Sequence, residues 1–440
     1  MTELDQISAT ADSRRCVLDE LIARGLMDQM TDADAVRSLL QSPPQTIYAG
    51  FDPTADSLHV GHLVPVMALA HLQRAGHCPI MLVGGATGMI GDPSGKSAER
   101  NLLTDAAVAQ NANAIKKQLE RFLSFDGPNA ARMVNNLDWI GKFSYIDWLR
   151  EVGKLFTVNY MMAKESVKRR LEDPDKGISY TEFSYQLLQA YDFLHLFRTY
   201  GCSMQIGGSD QWGNITAGLD LIRKTAGQSA QAFTLPLVTT SDGSKFGKTA
   251  GNAVWMDANR TSPYKFYQYW MQTPDADIEK FLKYFTFLPV EQIDYIVKTH
   301  QAQPEARGGQ KALASEITRV VHREDGLASA MRATDILFGK EISGMTDKDL
   351  SGIFDDVPST DLPRALLDAG VNIIDLLATA GVCKSKGDAR RQLQGNAVNI
   401  NNRRISDIER VITPADLASE TALVVRLGKK NYHLVRFKSM

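Results

Sequence analysis

The chain has 440 residues, of which 44% are hydrophobic and 23% are charged, and its formal net charge is −2. This composition is typical of a soluble globular protein, and the length predicts two or three domains. No apolar run approaches the length of a membrane span or of a signal peptide's core, so we expect a cytoplasmic protein without a membrane partner. The cysteines are too scattered to predict disulfides or a zinc site; they are Cys16, Cys78, Cys202 and Cys383.

The net charge hides an asymmetry between the C-terminal tail and the rest of the chain. Residues 373–440 contain twelve Lys or Arg against six Asp or Glu, so this segment carries +6 and the remainder −8. A basic tail on an acidic body predicts a polyanionic partner for the tail alone.

The pattern of elements in the first half predicts an α/β fold. After a helical lead-in over residues 14–40, residues 46–51 have the β-branched and aromatic character of a buried strand. A glycine-containing turn, an apolar helical pattern over 63–72 and a second strand at 79–83 follow. This order predicts a Rossmann-like parallel sheet, in which ligands bind at the carboxyl ends of the strands.

The turn after the first predicted strand has the features of a phosphate-binding turn. Glycines let a ligand approach the backbone, the helix start offers unpaired N–H groups, and two histidines could stabilise negative charge on a transferring phosphate. The residues expected here are Gly50, Asp52, Thr54, His59, Gly61 and His62. Taken alone, the histidine pair is more often structural, and a zinc site would lack an obvious third ligand nearby.

Almost two hundred residues later, Lys245 and Lys248 lie three positions apart in a glycine-containing segment, and Thr249 follows. With the histidine pair, this segment resembles the two signatures of class I aminoacyl-tRNA synthetases. The second signature here reads Lys-Phe-Gly-Lys-Thr rather than Lys-Met-Ser-Lys-Ser, a version often found in the bacterial tyrosine branch. From about residue 14 to the end, the chain is similar to bacterial tyrosyl-tRNA synthetases; the matching segments are 48–54, 83–88, 91–96, 185–192 and 205–214.

The resemblance implies a tyrosine–tRNA ligase. Such an enzyme activates L-tyrosine with ATP to tyrosyl-adenylate and pyrophosphate, then transfers tyrosine to the 3′-terminal adenosine of tRNA(Tyr). The resemblance also implies a homodimer. ATP would be a substrate accompanied by Mg²⁺, without a tightly bound cofactor or a protein-held metal.

A polar stripe on a predicted helix, residues 183–196, contains Tyr185, Gln189 and Asp192. A buried stripe of this kind needs partners, either a bound ligand or an internal hydrogen-bond cluster. The resemblance implies that Tyr185 and Gln189 contact the amino group of tyrosine. It implies that Asp192 and Tyr48 contact the phenolic hydroxyl.

The resemblance assigns roles to further residues. Asp92 would hold the ammonium group, Asp210 the ATP ribose, and Gln205 and Gln211 tyrosine and its polar surroundings. The segment 91–97 has three residues between its glycines, where a P-loop requires four, so we interpret it as a loop over the pocket. The groups implied to act on the phosphates are His59, His62, Lys96, Arg100, Lys245, Lys248 and Thr249.

We expect four segments: a catalytic domain (1–240), the lysine loop with an α-helical tRNA-binding domain (241–339), a linker (340–372) and a small α+β RNA-binding domain (373–440). The last resembles a module of a ribosomal protein, in which Arg390 and Arg391 would contact tRNA phosphates. Arg223 and Lys224 could contact tRNA or compensate a helix dipole.

Three alternatives are weaker. A small-molecule nucleotidyltransferase would need neither the basic tail nor the polar stripe. A non-catalytic RNA-binding relative would be expected to lack signature residues, yet both histidines and both lysines are present. A tryptophanyl-tRNA synthetase would have no phenol for Tyr48 and Asp192 to contact.

Overall fold

The computed structural model describes residues 16–94, 104–171, 177–241, 246–249, 252–354, 357–428 and 431–439. The chain divides into two compact units. One comprises Met1–Asp257 and Trp270–Val321, and the other comprises Ala258–Tyr269 and His322–Met440. This division differs from the expected boundaries at residues 240 and 339, because part of the predicted helical domain belongs to the first unit.

A five-stranded parallel sheet forms the centre of the first unit. Its strands are β1 (Thr46–Phe51), β2 (Cys78–Val83), β3 (Arg132–Asn135), β4 (Cys202–Gly208) and β5 (Gln231–Leu235). The spatial order is β3-β2-β1-β4-β5, and every neighbouring pair is parallel. The Rossmann-like sheet is therefore confirmed. The strand order reverses between β1 and β4, which is where doubly wound folds form a ligand crevice.

Helices surround this sheet, and the sequence explains the bounds of the longest. This helix, Tyr180–Tyr200, begins after Ser179, whose side chain accepts a hydrogen bond from the backbone N–H of Glu182, and it ends before Gly201, which has a positive φ of 62°. The helices up to β5 are α1 (Val17–Ala23), α2 (Ala33–Leu40), α3 (Leu63–Arg74), α4 (Gly85–Ile90), α5 (Asp105–Leu119), α6 (Leu137–Ile140), α7 (Tyr145–Glu151), α8 (Val158–Met162), α9 (Glu165–Leu171), α10 (Tyr180–Tyr200) and α11 (Trp212–Ala226).

After β5, a short hairpin of β6 (Lys248–Thr249) and β7 (Asn252–Ala253) precedes a helical region. Its helices are α12 (Pro263–Met271), α13 (Ile278–Phe285), α14 (Val290–Ala302) and α15 (Gly308–Leu337), which is interrupted at Arg323 by a φ of 63°. None of the helices within the described ranges is both long and apolar enough to cross a bilayer.

The second unit contains seven strands within the described residues, β8 (Ser359–Pro363), β9 (Val371–Asn372), β10 (Val398–Ile400), β11 (Arg403–Arg404), β12 (Val411–Ile412), β13 (Ala422–Leu427) and β14 (Asn431–Lys438). Five of them form a mixed sheet in the order β11-β10-β13-β14-β8. The predicted linker over 340–372 is wrong, because β8 pairs in parallel with β14 as an edge strand of this sheet. Its later helices are α16 (Asp347–Ile353), α17 (Arg364–Asp368), α18 (Ile373–Thr379) and α19 (Lys386–Gln394).

Candidate active site

A pocket of about 410 Å³ opens at the carboxyl ends of β1 and β4. This volume is in the range of small-molecule sites. Most of the predicted site residues line it, although they are spread over 160 positions of the chain. They are Tyr48, Gly50, Asp52, Thr54, Gly61, His62, Asp92, Tyr185, Gln189, Asp192, Gln205, Asp210 and Gln211.

The carboxylate of Asp192 is buried in the pocket and accepts two hydrogen bonds. Asn136 Nδ2 donates a hydrogen bond to its Oδ2 at 2.9 Å, and Trp139 Nε1 donates to its Oδ1 at 2.8 Å. Burial raises the pKa of Asp192 to about 7, although these two hydrogen bonds favour the ionised form. Asp192 therefore changes charge close to neutral pH.

Asn136 and Trp139 are functional residues that the sequence analysis missed. Asn136 is fully buried and lies directly after β3, a short strand with no strong apolar pattern. Its Oδ1 also accepts a hydrogen bond from the backbone N–H of Ala86 at 2.7 Å, which fixes the orientation of the amide. The available signal was an asparagine pair, Asn135 and Asn136, at the end of a possible strand.

Two buried polar atoms of residues that line the pocket have no hydrogen-bond partner among the described residues. They are the hydroxyl of Tyr48 and Oε1 of Gln205, on side chains that are 1% and 2% exposed. Burial and the nearby charge of Asp192 raise the pKa of Tyr48, which keeps its hydroxyl protonated. Leaving such groups unpaired costs about 1–3 kcal/mol each, so a ligand that supplies polar partners would remove the penalty.

A second network fixes Asp52. Thr87 Oγ1 donates to its Oδ1 at 2.9 Å, and the hydroxyl of Tyr185 donates to its Oδ2 at 3.2 Å. Asn136 Nδ2 also donates to Thr87 Oγ1 at 3.0 Å, so the networks around Asp52 and Asp192 share one amide. A Cβ on residue 84, which is glycine, would lie 2.1 Å from Asp52 Oδ1, so a larger residue there would displace this carboxylate.

Two amide side chains that follow β4 in the sequence, Gln211 and Asn214, hydrogen-bond to other polar residues of the pocket. Gln211 Nε2 donates to Asp92 Oδ2 at 2.7 Å, and Asn214 Nδ2 donates to Gln189 Oε1 at 3.0 Å. Burial, with a contribution from the charge of Asp92, raises the pKa of Asp210. The pocket thus gathers carboxylates and amide oxygens, which are suited to ammonium and hydroxyl groups.

Hydrogen bonds from backbone N–H groups of the turn fix the rings of both histidines. The N–H of Gly61 donates to Nδ1 of His59 at 3.0 Å, and the N–H of His59 donates to Nδ1 of His62 at 3.2 Å. Since both Nδ1 atoms accept, the hydrogen of each neutral ring is on Nε2, which can donate to an anion. The ring centroids lie 4.0 Å apart, and His62 lines the pocket.

The two signature segments meet in the structure. The N–H of Val60 donates to the carbonyl of Val254 at 3.0 Å, and the N–H of Val254 donates to the carbonyl of Gly247 at 2.9 Å. Phe246 lines the pocket, and its ring stacks on Phe285 with centroids 5.5 Å apart. The start of the second signature is therefore anchored beside the first.

The structure describes only part of the side chains that were predicted to contact the phosphates. Lys96, Arg100 and Lys245 are outside the described residues. Lys248 and Thr249 are placed as backbone in β6, where they pair with Ala253 and Asn252. Their contacts with phosphates stay predictions.

The predicted tRNA-contacting residues are absent from the lining of the pocket. Arg223 and Lys224 lie at the end of α11, and each forms an ion pair with Asp220 at 2.6 Å. This position is compatible with either of their predicted roles. Arg390 and Arg391 lie on α19 in the second unit, where Arg390 lines a hollow of about 320 Å³.

Comparisons with known proteins agree with this arrangement. The family described as tRNA synthetases class I (W and Y) matches residues 41–339, and the tyrosine–tRNA ligase SYY-like C-terminal domain matches residues 349–435. The tyrosine–tRNA ligase of Roseiflexus castenholzii is 50% identical over 422 residues, which cover 96% of this chain and 99% of the relative. That of Rhodopirellula baltica is 50% identical over 430 residues, 98% of each chain.

A solved structure is also similar. The chain matches a C-terminally truncated mitochondrial tyrosyl-tRNA synthetase from Aspergillus nidulans with a TM-score of 0.66 and 31% identity. The match covers 76% of this chain and 97% of that one.

Proposed function

This chain belongs to the class I tRNA synthetases of the tryptophan and tyrosine group, and we propose that it is an ATP-dependent tyrosine–tRNA ligase. The carboxylate of L-tyrosine attacks the α-phosphate of ATP, which releases pyrophosphate and forms tyrosyl-adenylate. The terminal ribose hydroxyl of tRNA(Tyr) then attacks the activated carbonyl, and AMP leaves.

The observation that supports tyrosine as the substrate is the pair of polar side chains Tyr48 and Asp192, which we call the floor of the pocket. A phenol placed there can donate to the carboxylate of Asp192 and accept from the unpartnered hydroxyl of Tyr48. Phenylalanine would leave the buried hydroxyl of Tyr48 unpaired and would give Asp192 no further hydrogen bond, at a cost of about 1–3 kcal/mol for each hydrogen bond not made. The pocket therefore selects the amino acid by its hydroxyl.

The amino group of tyrosine would lie among the oxygens of Asp92, Gln189 and Tyr185. Gln211 orients the carboxylate of Asp92 through its 2.7 Å hydrogen bond, and Asn214 orients Gln189. Gln205, whose Oε1 has no described partner, would complete the polar surroundings of the substrate.

ATP would occupy the histidine turn beside the tyrosine carboxylate. Asp210, beyond the end of β4, would contact the ribose, and the Nε2 donors of His59 and His62 would stabilise charge on the phosphates. A bound carboxylate is already a nucleophile, so the first step relies on positioning and charge stabilisation. The other groups proposed to contact ATP are Gly50, Asp52, Thr54, Gly61, Lys96, Arg100, Lys245, Lys248 and Thr249.

Mg²⁺ would enter with ATP as its phosphate complex. No three His, Cys, Asp or Glu side chains converge as a metal site within the described ranges. An ion carried mainly by phosphate oxygens would need few ligands from the protein. When bound, the ion neutralises charge on the β- and γ-phosphates.

Transfer RNA would contact both units through cationic side chains. We propose that Arg223 and Lys224 contact its acceptor arm, and that Arg390 and Arg391 hold its phosphates through the C-terminal domain. The residues from 241 to 339 would add tRNA contacts. We also propose that the protein acts in the cytoplasm.

A homodimer is supported by apolar side chains that lie exposed on the first unit. They occur on α7, α8 and the start of α10, and five of them are between 45% and 64% exposed. These are Tyr145, Ile146, Val158, Met162 and Tyr180. Exposed apolar surface of this kind marks association surfaces, and sedimentation velocity would measure the oligomeric state.

Charging of a tRNA(Tyr) transcript with labelled tyrosine tests the whole function. We expect charging of tRNA(Tyr) and none of tRNA(Phe). An Arg390→Gln/Arg391→Gln variant should raise the KM for tRNA about tenfold and leave tRNA-independent activation unchanged, since it removes two charges that would contact phosphates. Lys348→Gln, an exposed change on α16, is the matched control. Absence of charging by the unaltered chain would overturn the proposal.

A further inference from the structure

A second hollow, of about 770 Å³, is separate in its lining from the tyrosine pocket. It is formed by residues of α5, β3, α6 and the C-terminal half of α10. None of its lining residues has a role in the proposed reaction, except that Trp139 contacts Asp192. Its volume exceeds that of the tyrosine pocket and lies within the range of small-molecule sites.

Among the residues that line this hollow, basic side chains outnumber acidic ones. Arg132, Lys142 and His195 line it, and Asp138 is the one acidic residue among its described lining. Arg132 lies over the ring of Tyr200 at 4.8 Å. Within the described chain neither Arg132 nor Lys142 forms an ion pair, so both cations are available to an anion.

Direct contacts join the hollow to the tyrosine pocket. The ring of His195 stacks on that of Trp139, with centroids 4.3 Å apart and planes 15° from parallel. The same indole donates its Nε1 hydrogen to Asp192. A change in the charge of His195 therefore acts on a ring that holds the carboxylate at the floor of the tyrosine pocket.

Burial and the nearby Lys142 lower the pKa of His195, so its ring is neutral at pH 7. The other ionisable groups of this region are Arg132 on β3, Asp138 on α6, and Tyr191 and Tyr200 on α10. Asp192 is not among the lining residues of the hollow, but it accepts a hydrogen bond from the indole N–H of Trp139, which is. An anion in the hollow would oppose the effect of the cations and favour the imidazolium.

We propose that this hollow binds a small ligand through an oxyanion, a phosphate or carboxylate group held by Arg132, Lys142 and His195, and that binding strengthens tyrosine binding. The imidazolium would polarise the indole N–H of Trp139 and so stabilise the ionised form of Asp192. The coupling rests on the proposed role of Asp192 in tyrosine recognition, whereas anion binding does not.

Calorimetric titration of the full-length protein tests the site. The tyrosine pocket is first filled with a non-hydrolysable tyrosyl-adenylate analogue, whose own binding reports separately on the proposed function. Inorganic phosphate and acetate are then titrated at constant ionic strength set with sodium chloride. We expect saturable binding of at least one of the two anions, and the tighter one identifies the group that the hollow prefers.

Two variants and a control locate the binding. Arg132→Gln and Lys142→Gln, both changes of exposed residues, should weaken the anion about fivefold or more. Lys117→Gln removes a charge from an exposed position on α5 that does not line the hollow, and it should change nothing. Absence of saturable binding, or equal affinities in all three variants, would overturn the proposal.

The coupling has its own readout. Saturating anion should lower the dissociation constant of tyrosine about two- to fourfold at pH 6.5, which lies below the pKa of about 7 of Asp192, and tyrosine should strengthen anion binding by the same factor. His195→Phe keeps an aromatic stack but cannot become charged, so the effect should vanish. An effect that persists in this variant, or is absent from the unaltered protein, would contradict the coupling.

Discussion

The hydrogen bond from Trp139 to Asp192 allows a sharp test of how tyrosine is recognised. Trp139→Phe removes the Nε1 donor and keeps an aromatic ring at a position that is 8% exposed. A hydrogen bond to a charged group contributes about 1.5–3 kcal/mol. Its loss should therefore raise the pKa of Asp192 from about 7 by about one to two units.

This change has a distinct pH signature. The ionised carboxylate accepts the phenolic hydrogen more strongly than the protonated group does, so the KM for tyrosine should rise about tenfold in the variant at pH 7.5. Because Asp192 ionises again as the pH rises, the difference should shrink towards pH 9.5. The assay is tyrosine-dependent pyrophosphate exchange from pH 6.5 to 9.5.

Trp148→Phe makes the same chemical change on α7, where the ring packs against Phe143 and Tyr191. It should leave the KM profile unaltered. If the KM for tyrosine of Trp139→Phe differed from that of the unaltered protein by the same factor at every pH, this explanation of tyrosine recognition would be refuted.

Three further substitutions test the other contacts. His62→Ala should lower the activation rate about a hundredfold or more with little change in tyrosine affinity, because it removes a phosphate donor; equal losses in both would contradict that role. Tyr48→Phe should raise the free energy of unfolding, measured in urea, by about 1 kcal/mol, because the hydroxyl that it removes has no described partner. The same variant should bind tyrosine more weakly. A variant less stable than the unaltered protein would show that the hydroxyl of Tyr48 forms a hydrogen bond in the folded protein. Arg170→Ala should destabilise the fold by about 3–5 kcal/mol, because it leaves Glu182 buried without its 3.0 Å ion pair. The double variant Arg170→Met/Glu182→Leu should recover most of this loss, because it removes both charges. Equal stabilities of the single and double variants would argue against this explanation.

The central sheet could be predicted because β1 and β2 are continuous apolar runs that end in glycine-containing turns. The strand β3 could not, since it has only four residues, none of them buried. Missing β3 also concealed Asn136, which follows it. The contacts of Asn136 and Trp139 with Asp192 depend on bringing α6 against α10, and no local pattern encodes that approach.

The segment before the C-terminal sheet illustrates the same limit. Ser359–Pro363 has a polar, proline-containing sequence with only one buried residue, so it does not look like a strand. Pairing with β14 makes it one. By contrast, the polar stripe of α10 was visible from its spacing, because Tyr185, Gln189 and Asp192 fall on one face whatever they contact.

The most direct test of the central claim is exchange of labelled pyrophosphate into ATP without tRNA, with tyrosine, phenylalanine and tryptophan compared at equal concentration. The floor formed by Tyr48 and Asp192 predicts exchange with tyrosine and, for phenylalanine, a kcat/KM lower by a factor of at least ten. Exchange with phenylalanine at a similar rate, or no exchange with any of the three, would contradict the account.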